Sequence, residues 1–243
     1  MGNEASYLFD KSYECPVCDA SFHSKTIKAG KARFLASDSD LRPKHYGVDV
    51  LKYDVIVCPH CGYAAVSRFF PYITERQAEL VKENITKAFE PMKQQPSEFT
   101  YNEAIKRHKL ALMNAIVSGK KESEKAYTCL KIAWLYRGFG ESMEHTDEKE
   151  AVLTNLKHSE SEYLKKAFVG FYQALMKEQL PICGMDEGTC MYLVAELARE
   201  SGQYEEALRI LSQLLVKRNI SERLKDRIRI AKDKIKEVYD EIE

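Results

Sequence analysis

The sequence carries no net charge: 37 lysines and arginines balance 37 aspartates and glutamates. A chain without a basic excess is not drawn as a whole to nucleic acid or to an anionic membrane, so only a local patch can serve either role. No apolar run approaches the roughly 18 residues of a membrane-spanning helix. The first residues, Met1 to Ala5, lack the basic and then apolar run of a secretory leader. An even, evenly spaced cysteine set is also missing. The chain has seven cysteines, and four of them fall in two Cys-x-x-Cys pairs, which excludes a disulfide framework and points to a reducing, cytoplasmic setting.

The two cysteine pairs are the strongest signal. Cys15-Pro16-Val17-Cys18 and Cys58-Pro59-His60-Cys61 are separated by 39 residues. Each is a tight turn that aims two thiolates at one point, and two such turns supply the four sulfurs of a tetrahedral zinc ion. A redox Cys-x-x-Cys would not occur in duplicate around a small β unit. His23 and His60 are left outside the ligand set. Four thiolates leave no open position for water, so the expected role is one structural zinc per chain. The β-prone run Tyr53 to Val57 leads into the second pair, and Phe22 and the stretch Ala32 to Leu35 are the other strand candidates. Residues 1–12 carry little pattern and read as a loose lead-in. A unit over 1–72 is marginal for its own core and needs the metal to fold.

From residue 73 onward the pattern is helical. Thr74 with Gln77 and Thr100 with Glu103 form capping boxes, opening helices over about 74–90 and 101–117. A third helix over about 123–137 is expected to yield at Gly138 and Gly140. Asp147 is the expected cap of the next helix, and no proline or glycine interrupts the chain from there to Gly170. Pro181 and Gly184 break the pattern, Asp186 caps a helix ending at Gly202, another follows from Gln203, and Ser221 opens the last. Residues 188–219 resemble the tetratricopeptide repeat: Ala195 and Ala207 are the small residues of the helix crossing, Gly202 opens the turn and Tyr204 packs over it. The repeat's usual terminal proline is replaced by Asn219. Ala133, Gly140, Leu164, Ala167 and Phe171 form a weaker upstream copy with about twenty extra residues between its halves.

Several groups are candidates for chemistry or binding. Asp38, Asp40, Arg42, Lys44 and His45 form a polar turn whose carboxylates suit a second metal or acid/base work, or cap turns and pair with Arg42. Trp134, Arg137, Tyr192, Glu196 and Arg199 fall at inner repeat positions, which in tetratricopeptide domains line a peptide groove; Trp134 alternatively fills core. Cys129, Cys183 and Cys190 lie in or beside helices and read as packing. Residues 217–236 hold nine basic against three acidic side chains, Arg218 among them, either a solvated face or a phosphate-contacting stripe.

Cys-Pro-x-Cys, Ser-Asp-x-Asp-Leu-Arg-Pro and Tyr-Asp-Val-x-Val-Cys-Pro-x-Cys-Gly-Tyr-Ala-Ala, within Cys15–Ala65, together resemble a bacterial family catalogued as domain of unknown function 2225. The resemblance implies a bacterial, cytoplasmic zinc-ribbon protein with a tetratricopeptide-like C-terminal half. It implies no activity, and it places Asp38, Asp40 and Arg42 in the family signature. The resulting expectation is an α+β chain. A β-rich zinc ribbon over 1–72 precedes an all-α tetratricopeptide-like helical-hairpin solenoid over 73–243. Its function would be non-enzymatic binding of a peptide or protein partner through Asp38, Asp40, Arg42, His45, Trp134, Arg137, Tyr192 and Arg199. Nucleic-acid binding by the last helix, and an enzyme using Asp38 and Asp40, are the alternatives.

Overall fold

Hairpins and helices divide the chain as the two sequence patterns direct. The computed structural model describes residues 4–92, 96–143, 150–217 and 220–240. The N-terminal part is three antiparallel hairpins: β1 (Leu8–Glu14) with β2 (Ser21–Ile27), β3 (Phe34–Ser37) with β4 (Pro43–His45), and β5 (Val55–Val57) with β6 (Ala64–Val66). β1 and β2 pair from Leu8 opposite Ile27 to Glu14 opposite Ser21, and β5 and β6 from Val55 opposite Val66 to Val57 opposite Ala64. The cysteine pairs sit at the turns of the first and third hairpins.

Two expectations for this part need correction. Residues 4–12 are not a loose lead-in: they form a 3-10 turn, Glu4–Tyr7, and most of β1. Most of β1 is exposed, so it has no apolar alternation by which to be recognised; its order comes from β2 and from Glu4, which accepts from Lys52 Nζ and Tyr53 Oη at 2.6 Å each. The strand expected from Tyr53 begins at Val55, because Asp49 caps a 3-10 turn over Val50–Tyr53 by accepting from the Leu51 amide at 3.0 Å.

The hairpins do not close a core alone. α1 (Glu75–Asn84) places Ala78 and Val81, with Ile85 just beyond it, against Cys15, Phe22, Ile56 and Phe70, and α2 (Tyr101–Val117) packs Ala111 on Val55, Val57, Ala64 and Val66. Packing of the head therefore continues past residue 72. The capping box at α1 is present in both directions, Gln77 N to Thr74 Oγ1 at 3.3 Å and Thr74 N to Gln77 Oε1 at 3.1 Å. α1 is shorter than its apolar spacing suggests. Thr86 Oγ1 donates to the Cys61 carbonyl at 2.9 Å, which turns the chain into a 3-10 segment, Thr86–Ala88, toward the second cysteine turn.

The remaining helices are α3 (Glu122–Ser142), α4 (Glu150–Lys177), α5 (Glu187–Glu200), α6 (Tyr204–Leu215) and α7 (Glu222–Asp240). Each helix from α2 to α7 packs on the next, and α5 also meets α7. Leu130, Ala133, Phe171, Ala195, Ala207 and Ile228 lie at the centre of their shared core, each fully buried. α3 does not yield at Gly138 and Gly140 but runs through both. At Gly138 a methyl group would stand 2.9 Å from the Tyr101 ring and 3.0 Å from Arg42 Nη2. The glycine there makes room for the head, not for a helix end. α4 is one continuous helix from Glu150, passing through Gly170; its expected cap, Asp147, lies outside the described residues, as do Arg218 and Asn219. Asp186 and Ser221 cap as read, accepting from Thr189 N at 2.7 Å and Leu224 N at 3.2 Å.

Candidate functional site

The two cysteine turns are built alike. Cys15 N donates to Ala20 O and Asp19 N to Cys15 O; Cys58 N donates to Tyr63 O and Gly62 N to Cys58 O. The residue after each second cysteine is left-handed, Asp19 at φ 58° and Gly62 at φ 76°. Gly62 has a second constraint, since a methyl group there would lie 2.5 Å from the Phe89 ring. The sulfurs of Cys15 and Cys61 stand 3.6 Å apart and those of Cys18 and Cys58 3.7 Å apart, with all four within 4.8 Å of one another. A tetrahedral ion with metal–sulfur bonds of about 2.3 Å needs sulfur–sulfur edges of about 3.8 Å. The donor set fits. Hydrogen bonds from Cys15 and Cys61 pull the Cys58 thiol well below its usual range, while the hydrogen bond to Cys58 pushes Cys15 up and hydrogen bonds with Cys15 and Cys58 push Cys61 up. A dication that takes the place of the protons relieves this competition.

The second concentration of polar groups lies where the head meets the helices. Between β3 and β4 the chain makes a tight turn, with Leu41 N on Asp38 O and Asp38 N on Arg42 O. Leu41 is held at φ 70°, a conformation unfavourable for a branched side chain. The turn enters the faces of α3, α5 and α7. Asp40, with no exposed surface, accepts from Trp134 Nε1 at 2.7 Å and faces Arg137 Nη2 at 3.0 Å; its other oxygen accepts from the Arg42 amide at 3.3 Å. Tyr192 Oη donates to the Ser39 carbonyl at 3.0 Å. Arg199 reaches Ser39 Oγ at 3.4 Å, and Arg227 reaches Ser37 Oγ at 2.6 Å and the Asp38 carbonyl at 3.4 Å. Arg42 turns back to Asp38 at 3.5 Å and Glu141 at 2.9 Å.

Arg137 is the hub. Besides Asp40 it meets Asp38 at 3.4 Å, Glu160 at 2.6 Å and Glu200 at 3.1 Å. Burial disfavours its charge, but Asp40, Glu200 and Glu160 outweigh burial and its pKa rises. Glu200 sits on the crowded side of this balance. Burial, with the charge of Asp40 added, raises it to about 7, against the pull of Arg137 and Arg199.

Of the eight residues expected to bind a partner, seven converge: Asp38, Asp40, Arg42, Trp134, Arg137, Tyr192 and Arg199 meet one another across the head–helix junction. His45 stands apart, edge-on to Phe34 at 6.0 Å between ring centroids. Glu141, Glu160 and Glu200 escaped the sequence reading. Only Glu200 left a trace there, as the acid four residues after Glu196 beside Arg199. Asp40 has both oxygens engaged and no path to solvent, so it is not placed to act on a substrate. Among the described residues, the four cysteines are the group of His, Cys, Asp or Glu side chains gathered closely enough for a metal ion. Cys129 and Cys190 are buried in the helical core, and burial pushes their thiols up to about 11 and 12; Cys183 is likewise raised to about 11 by burial. All three are kept as thiols, in line with a packing role. Much of the basic stretch is taken up internally: Lys217 pairs with Glu187, Lys225 with Glu222 and Arg229 with Asp226, while Arg227 faces the turn.

Beside the turn an open cleft of about 600 Å³ remains, walled by Phe34, Leu41, Pro43, Tyr192, Ile220 and Leu224. The sequence model of one family, described as an uncharacterized protein conserved in bacteria, matches residues 8–242. No curated protein and no solved structure matches the chain.

Proposed function

Because the chain belongs to this bacterial family, domain of unknown function 2225, and membership brings no activity with it, we propose a function from geometry: a zinc-stapled scaffold that binds a peptide or protein partner along its helical body. Zinc is the ion that four thiolates at these separations favour. A fully cysteine-filled coordination sphere gives it a structural role. α5 and α6 form a tetratricopeptide-like hairpin, with Ala195 and Ala207 fully buried at the crossing and Gly202 at φ 77° in the turn. α3 and α4 are its elongated upstream counterpart.

One observation carries this reading. The faces of α3, α5 and α7 already receive a tight turn of chain, the head's own residues 37–42, through chemistry suited to peptides: a tyrosine hydroxyl and an arginine on backbone carbonyls, and an indole N–H on a carboxylate. The open cleft continues the same face outward. The head is thus an internal occupant of part of the groove, and the partner takes what remains. The test is affinity capture on the immobilised, zinc-loaded full chain from a bacterial lysate, quantified by mass spectrometry against a bare matrix. Reproducible enrichment of the same protein is expected. Enrichment of none would dispose of the scaffold reading.

A further inference from the structure

The geometry points to the cleft between hairpin β3–β4 and the first turns of α5 and α7 as the docking site of an acidic peptide segment anchored by an apolar side chain. This rests on the scaffold reading and names the partner's chemistry. The cleft, about 600 Å³, is in the size range of sites that enclose a ligand. Leu41, Pro43, Ile220 and Leu224 give it an apolar wall. Phe34, 52% exposed at the start of β3, carries that wall out to the open rim.

Charge selects the occupant. Among the described residues, five ionic side chains line the cleft: Asp186, Glu187, Lys217, Arg223 and Arg227. Asp186 is engaged in capping Thr189, and Glu187 is paired with Lys217 at 2.5 Å. Arg227 points its guanidinium at Ser37 and the Asp38 carbonyl. Arg223 is exposed and has no ion pair to any described residue, and the partners of Arg227 are uncharged. The described lining therefore carries three cations against two carboxylates, and its exposed, unpaired cation, Arg223, stands beside the apolar wall. An aspartate or glutamate beside a leucine or phenylalanine satisfies both features. A basic segment would leave Arg223 facing a like charge.

The test is fluorescence polarisation on the full, zinc-loaded chain with a labelled nonapeptide alternating leucine with aspartate and glutamate. A peptide with lysine for every acid and a thymidine oligonucleotide serve as comparators. The acidic peptide is expected to bind, to weaken tenfold or more with Arg223→Glu, and to weaken with added salt. Arg223 is exposed, so this variant folds. The proposal is overturned if the lysine peptide binds equally, if Arg223→Glu changes nothing, if the acidic peptide fails to bind, or if the oligonucleotide binds while the peptide does not. A photocrosslinker replacing Phe34, against one replacing the exposed Met113 on α2, separates the two layers. Capture of a partner at Met113 alone sinks the cleft and spares the scaffold, whereas capture at neither, with nothing enriched from lysate, sinks both.

Discussion

Asp40 concentrates in one carboxylate what joins the head to the helices. It satisfies a buried indole N–H and a backbone amide and balances part of Arg137. Asp40→Ala orphans the first two donors, each at a cost of about 1–3 kcal/mol. The variant should lose stability on that order in urea unfolding, with a red shift of Trp134 emission; an unshifted midpoint would contradict the account. Glu200 gives the same cluster a pH dependence. Its folded pKa lies near 7 against an ordinary 4.5, so the fold holds its proton more tightly than the unfolded chain does. The stability it confers is fully present below about pH 4.5 and is lost as pH rises through 7, at most about 3 kcal/mol. Glu200→Gln should flatten the stability profile across that window. A profile identical to the parent's would refute this assignment. Neither effect was legible from local pattern. Asp40 and Trp134 are 94 residues apart, and nothing in either neighbourhood announces the other; only the signature turn and the inner repeat positions, read separately, named both residues.

At the scale of elements, legibility followed how local the cause was. The cysteine turns, the α1 capping box and the Asp186 cap are decided within a few residues, and each was read correctly. The end of α3 was misread because Gly138 answers to Tyr101 and Arg42, not to its own helix. β1 was missed because its order lies in its partner strand. Metal removal should expose this hierarchy. Structural zinc contributes on the order of 10–16 kcal/mol in small domains. A chelator should therefore unprotect the amides of β1, β2, β5, β6 and α1 in hydrogen exchange, while α4–α6 keep theirs. Unchanged protection in β5 and β6 would rule out a stapling role for the metal. Gly62→Ala should weaken metal retention in competition with a chromogenic chelator, since it strains φ and strikes Phe89; retention equal to the parent's would count against that geometry.

At the scale of the whole molecule, head and body are tied at several places besides the turn. The buried Lys131 on α3 pairs with the partly exposed Asp54 at 2.5 Å, and Asn114 on α2 donates to the Gly62 carbonyl at 3.0 Å. The Lys131 charge is opposed by burial but restored by Asp54, and its pKa rises. Lys131→Met removes the charged partner of Asp54 and should cost about 1.5–3 kcal/mol. The parent should unfold with fluorescence and circular dichroism coinciding, whereas the variant should separate them because the junction fails first. Trp134, the single tryptophan, sits at that junction and reports on it without a label.

The turn that fills the helical face belongs to the loop whose two ends are the cysteine pairs. Whatever factor metal loss adds to the affinity of a ligand that takes the place of residues 37–42, that ligand must by reciprocity take from the affinity for the metal.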